Sequence, residues 1–170
     1  GKLVRDYRIP DSGFALSFSH SGKRIAVSAF ELSGIHVFGL DSKARVLRLG
    51  TSSPVVAVGF TEGDRQVVAL TEDGGLYVWD AQSGKLETTH RFGSHVGEAN
   101  FSKTADKLAL TVSSENAEQL LIWDVKKKKM LSKVDRIASG YGAQSLQFSP
   151  DGKLLLSGCQ RSSLQLWSVA

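Results

Sequence analysis

Cysteine, methionine and proline are scarce in this chain: one, one and three residues among 170. The lone thiol, Cys159, excludes an intrachain disulfide framework and fits a reducing, intracellular compartment. Long hydrophobic runs are missing too. The longest apolar stretches, such as 55–60, fall far short of the ~20 residues a membrane-spanning helix needs, so no membrane partner is expected. No charged-then-apolar leader opens the sequence, which begins at Gly1 with no methionine. On those grounds the chain reads as an excised piece or a processed product. No segment carries the 3.6-residue periodicity of a long amphipathic helix.

What is present suits a turn-rich globular protein. The hydrophobic content is 41%, with 17 glycines, and the length suffices to bury a core without disulfides or metals. The net charge of +4 almost equals one local run, Lys126, Lys127, Lys128 and Lys129, so the global balance says little about partners.

Four segments repeat one pattern. Each opens with an alternating strand ending in phenylalanine, at Phe18, Phe60, Phe101 and Phe148. A polar turn follows, for example Ser19-His20-Ser21-Gly22-Lys23 or Ser149-Pro150-Asp151-Gly152-Lys153. Then come a β-rich run and a further strand with an aromatic near its end, at Phe38, Trp79, Trp123 and Trp167. The eight anchors recur at steps of about 41 to 47, the period of a four-stranded propeller blade. The short runs of period two agree with that period. The expected fold is all-β, a β-propeller of four-stranded antiparallel blades, with about four blades in this chain. Units are expected over about 14–50, 55–92, 96–138 and 143–170, forming one segment over 1–170.

At these residues the chain resembles the WD-repeat β-propeller family. The Trp-Asp dipeptide stands at Trp79-Asp80 and Trp123-Asp124, is Trp167-Ser168 in the last unit, and is Phe38-Gly39 in the first. The 149–153 turn is also of the family's type. The resemblance implies a stabilising tetrad of histidine, Ser/Thr, turn aspartate and tryptophan. Unit two is similar at Thr71, Asp73 and Trp79, with Ser52-Ser53 where the histidine belongs. Unit three offers His95, Thr111 and Trp123, and unit four only Ser157 and Trp167. Degenerate tetrads leave each blade more dependent on apolar packing.

Residues 1–9 are similar to 84–92, the outer strand of unit two, so residues 2–8 are expected to be an outer strand of a blade otherwise missing. The last unit stops after its third strand. Three readings stay open: a piece of a larger ring of about seven blades, two copies joined into an eight-bladed ring, or four blades closing alone. The first is favoured on the absent methionine and the orphan strand.

Convergent chemistry is not evident. His20, His36, His90 and His95 lack metal-like spacing and suit structural roles, His95 in the propeller hydrogen-bond network. Cys159 has no neighbouring histidine and reads as a small packed residue. Gly140-Tyr141-Gly142 precedes a strand rather than a helix and so reads as a connecting loop. Asn100-Phe101-Ser102 lies on an inner strand, where a glycan would not fit. Neither a catalytic residue nor a metal or other cofactor is expected.

Two surface features remain. The lysine run falls in a turn and can meet phosphate or acidic groups, although no aromatic interleaves it. The other rim carries Glu31, Glu72, Asp73, Glu115, Glu118 and Arg161, with His95 and Tyr141. The family resemblance implies protein or peptide docking on that rim, and its acidity would prefer a basic partner. The expected function is a non-catalytic protein–protein interaction scaffold. Alternatives are a nucleic-acid or ribonucleoprotein component using the basic turn, or the regulatory propeller of a larger enzyme. Self-association to complete a ring is a further expectation.

Overall fold

The period-two runs become four antiparallel sheets in succession. A computed structural model of the chain describes residues 1–4, 6, 15–29, 34–41, 46–93, 95–114, 117–135, 143–159 and 163–169. Blade 1 comprises β1 (Leu16–Phe18), β2 (Arg24–Ala29), β3 (Gly34–Gly39) and β4 (Leu47–Gly50). Blade 2 comprises β5 (Val55–Phe60), β6 (Gln66–Thr71), β7 (Gly75–Asp80) and β8 (Leu86–Arg91). Blade 3 follows with β9 (Val96–Phe101), β10 (Lys107–Ser114), β11 (Ala117–Asp124) and β12 (Lys129–Val134). Blade 4 has β13 (Ala143–Phe148), β14 (Leu154–Cys159) and β15 (Ser163–Ser168). Within each sheet the strands lie in chain order, so every connection inside a blade is a hairpin. The fold is all-β, four blades of a β-propeller.

The first strand of each blade is innermost and meets the first strand of the next: β1 contacts β5, β5 contacts β9, and β9 contacts β13. Because strand side chains alternate between faces, each blade has a leading face toward the preceding blade and a trailing face toward the following one. Three cores result, one at each junction. Ala26, Ile35 and Val37 on the trailing face of blade 1 pack with Val58, Phe60 and Trp79 of blade 2. Val68, Leu76 and Val78 pack with Leu108, Leu110 and Trp123 of blade 3. Ala109, Leu120 and Ile122 pack with Leu146, Phe148 and Leu155 of blade 4.

Six of the eight repeat anchors, Phe60, Trp79, Phe101, Trp123, Phe148 and Trp167, therefore act at junctions. Phe60, Trp79, Trp123 and Phe148 are buried, as is Phe38, while Phe101 and Trp167 are half-buried. Phe18 is exposed, in contrast to its counterpart Phe60. The polar turn between the first two strands has a positive φ at the same position in every blade: Gly22 at 66°, Asp64 at 58°, Ala105 at 48° and Gly152 at 66°. Glycine takes that conformation without a Cβ penalty, whereas Asp64 and Ala105 adopt it at a cost.

Residues 1–4 and 6 form no strand, and Leu3 and Val4 are exposed; residues 5, 7 and 8 of the outer strand expected over 2–8 lie outside the described residues. The lysine run is shifted from pure turn. Lys129 opens β12 opposite Asp124, while Lys126, Lys127 and Lys128 make the turn, with Lys128 at φ 52°.

Candidate interaction site

Antiparallel order puts alternate turns on opposite rims. The turns joining second and third strands share one rim with the connections between blades. On that rim, between blades 2 and 3, lies a notch of about 430 Å³ lined by Ser53, Glu72, Asp73, Arg91, Gly93 and His95. Three chain segments converge there: the entry to blade 2, the β6–β7 turn, and the connection leaving β8.

Each wall of the notch has a local cause. Thr71 ends β6 fully buried, and its hydroxyl lies 2.6 Å from the Asp73 carboxylate while accepting the Gly75 amide at 3.0 Å. That hydroxyl pins the β6–β7 turn. It is also the main cause that holds the Asp73 carboxyl below the ordinary carboxylate range, against partial burial and with help from Arg91. Arg91, at the end of β8, pairs with Asp73 at 2.9 Å. Glu72 and His95 face each other at 3.7 Å, with Glu72 half-buried and His95 exposed. The Val96 amide donates to the Glu72 carbonyl at 2.9 Å, which joins the turn of blade 2 to the entry of blade 3.

Of the rim residues expected from sequence, Glu72, Asp73 and His95 are thus brought together. Glu31, Glu115, Tyr141 and Arg161 lie outside the described residues, as does the Gly140–Gly142 segment. Glu118 is committed elsewhere: its carboxylate accepts the Ala143 amide at 2.9 Å. Beside it, burial and then the Glu118 charge push the Glu98 carboxyl up from its ordinary value. Arg91, Ser53 and Gly93 were not among the rim residues expected from sequence. Arg91 ends an otherwise ordinary alternating outer strand, and only the fold carries it beside Asp73.

In units two and three the expected hydroxyl does not reach its tryptophan, for a reason of register, whereas in unit four it does. Val67 pairs with Trp79, so Thr71 is four steps along the ladder, about 13 Å at the strand rise, and out of the indole's reach. Thr111 is three steps from Leu108, the partner of Trp123, which puts its side chain on the opposite face. It accepts the Glu98 amide at 2.9 Å instead. Ser157 is two steps from Leu155, the partner of Trp167, on the same face, and the indole donates to it at 2.9 Å. His95 joins no such network. It is exposed and turned toward Glu72.

Trp79 and Trp123 are held by aromatic contacts. Trp79 stacks on Tyr77 with centroids 5.5 Å apart. Trp123 stacks on His90 at 4.2 Å and meets Phe92 edge-on at 5.3 Å. His36 is buried in β3, and burial, then the charge of Arg48 on β4, lowers its pKa. Asn100 sits on β9 with its side-chain oxygen 3.5 Å from the Phe148 amide. Cys159 ends β14. On the far rim, Lys126, Lys127, Lys128 and Lys129 are all exposed, and the Asp124 carboxylate accepts the Lys127 amide at 2.6 Å.

Among the described residues, no group of three or more metal-ligating side chains gathers and no helix is long and apolar enough to cross a membrane. The family model described as WD domain, G-beta repeat matches residues 135–168, the approach to blade 4 and most of that blade. No curated protein matches the chain. Propellers of this family generally mediate protein–protein interaction and are typically non-catalytic scaffolds. The chain thus carries a WD-repeat match over residues 135–168 and lays the same hairpin-linked sheet down four times, as four blades of a β-propeller.

Proposed function

We propose that this chain is a non-catalytic interaction module that docks a basic peptide segment in the rim notch between blades 2 and 3. The observation that carries the reading is the pairing of a half-buried Glu72 with an Asp73–Arg91 ion pair inside one notch built by three chain segments. A rigid scaffold presenting loop residues is a common way to place recognition. Among the described residues, no lysine or arginine lies within ion-pair distance of Glu72, whose recorded neighbour is the His95 ring, so an incoming arginine or lysine finds an available carboxylate. Asp73 is held in place by Thr71 and supports Arg91, which can in turn meet a peptide carbonyl.

The test uses two labelled peptides of equal length, one rich in Arg/Lys and one in Asp/Glu, titrated by fluorescence anisotropy. The basic peptide should bind the tighter, and Glu72→Arg should weaken it by roughly five- to tenfold. Equal affinity for both peptides, or undiminished binding to the variant, would sink the reading.

A second reading rests on the opposite rim, where four lysines in succession are exposed and Lys127 has an ion pair, with Asp124 at 3.8 Å. Such a cluster suits a nucleic-acid backbone. Single-stranded RNA binding with a steep salt slope, lost when Lys126, Lys128 and Lys129 are replaced by Gln, would favour it.

A further inference from the structure

Two turns at one end of blade 3 bring lysines together from distant parts of the chain. Antiparallel order sets the β9–β10 turn beside the β11–β12 turn, and the ladder aligns them. Lys107 pairs with Asp124 and Asp124 with Lys129, so these residues stand in one row across β10, β11 and β12. At the usual strand spacing that row is about 10 Å long. Lys103 lies in the inner turn, and Lys126, Lys127 and Lys128 lie in the outer one. Blade 2 packs on one face of blade 3 and blade 4 on the other, so the lysines project from the end of an inner blade.

The acids at this end are engaged by the turns themselves. Asp106 accepts the hydroxyls of Ser102 and Thr104, both at 2.7 Å, and pairs with Lys107 at 3.2 Å. Asp124 is buried, accepts the Lys127 amide at 2.6 Å and lies 3.8 Å from the Lys127 ammonium. On the adjacent turn of blade 4, Lys153 stands 3.9 Å from Asp151 and adds no net charge. Among the described residues, no carboxylate lies within ion-pair distance of Lys103, Lys126, Lys128 or Lys129, and all four are exposed.

The ligand's chemistry follows from what accompanies the charge. Residues 102–107 and 124–129 contain neither an aromatic side chain nor an arginine. Single-strand sites rely on aromatic platforms for unstacked bases, and planar carboxylates favour the arginine fork. Lysine is a hydrated point charge that suits phosphate, and a duplex presents one phosphate charge per about 1.7 Å of its axis. We propose that this end of blade 3 seats the phosphate backbone of a nucleic-acid duplex, without reading its sequence, through Lys103 together with Lys126, Lys128 and Lys129. This rests on the second reading above and narrows it, from one lysine run to two turns and from any nucleic-acid backbone to a duplex.

The test is fluorescence anisotropy with labelled DNA duplexes of about 20 base pairs, between about 50 and 200 mM salt. Two unrelated sequences should bind alike, with log K falling against log salt at a slope of about −3 to −4, as four neutralised phosphates require. Lys103→Gln should lessen that slope by about 1, and joint replacement of Lys126, Lys128 and Lys129 by Gln by about 3. All four positions are exposed, so far-UV circular dichroism should be unchanged. Single-stranded RNA of matching sequence and polyglutamate should each bind roughly tenfold more weakly or worse. A single strand that binds as well as the duplex, or a slope indifferent to Lys103→Gln, overturns this proposal and leaves the second reading standing. Absence of binding to either nucleic acid, or a preference for polyglutamate, overturns both.

Discussion

Asp64 of blade 2 accepts the His20 amide of blade 1 at 2.7 Å and the Ser21 amide at 3.1 Å, so one turn grips the next. The His20 ring lies 3.3 Å from the same carboxylate, and its Nε2 is 2.7 Å from the Lys103 carbonyl of blade 3. Arg24 completes the clamp by donating to the carbonyls of Ala81 and Asp64, both at 2.6 Å. Three blades are therefore tied along one rim by polar groups that belong to no tetrad. The positive φ of Asp64 fits this role, since aspartate tolerates the left-handed region better than most residues and is here held by its acceptor bonds.

Loss of that carboxylate should loosen the junction of blades 1 and 2. Burial alone would raise the Asp64 pKa, but the hydrogen bonds from Ser21 and His20 outweigh it and bring it to about 2, against an ordinary 3.8. A depressed carboxyl stabilises the folded state fully above the unfolded value and loses that contribution as the pH falls from 3.8 through about 2. Asp64→Asn should cost about 1–2 kcal/mol at neutral pH. Denaturant melts of both proteins should converge as the pH is lowered through that window. A gap independent of pH would contradict the assignment.

Thr71→Val tests the pin under the rim notch. The substitution keeps the shape but removes the partner of the Gly75 amide and of Asp73, at a cost of about 1–3 kcal/mol. Because Asp73 then loses its main hydrogen bond, its carboxyl should titrate closer to the ordinary value, which NMR titration of the side chain would read.

Glu98→Gln should act in the opposite direction. Burial and the neighbouring Glu118 raise the Glu98 pKa above 4.5, so its charge opposes folding at neutral pH. The variant should melt about 1–3 °C higher near pH 7. The advantage should vanish below pH 4.5, where the native carboxyl is protonated in both states. A variant that melts lower at pH 7 would show that the Glu98 charge is used.

The blades were readable because their signal is local. Alternation and turn chemistry recur around Phe60, Phe101 and Phe148 without reference to distant residues, and each such stretch pairs with its chain neighbour. The pairing of hydroxyl with tryptophan was read correctly in unit four, at Ser157 and Trp167, and misread in units two and three, because a hydroxyl's usefulness depends on ladder register. Thr71, Thr111 and Ser157 look equivalent as letters, yet they stand four, three and two steps from their tryptophan's partner. The candidate notch was half readable. Glu72, Asp73 and His95 are loop residues and could be assigned to a rim, whereas Arg91 reaches it only by the pairing of β8 with β7, which sets Arg91 opposite Gly75.

By itself the sequence determined the class of fold, the blade repeat and the rim on which each turn falls, since period-two alternation and hairpin order are properties of neighbouring residues. Tertiary structure alone decided which side chains meet across junctions: His20 with Asp64, and His90 with Trp123. Packing between blades joins positions some forty residues apart, and strand register and face, which set those meetings, shift with a single bulge.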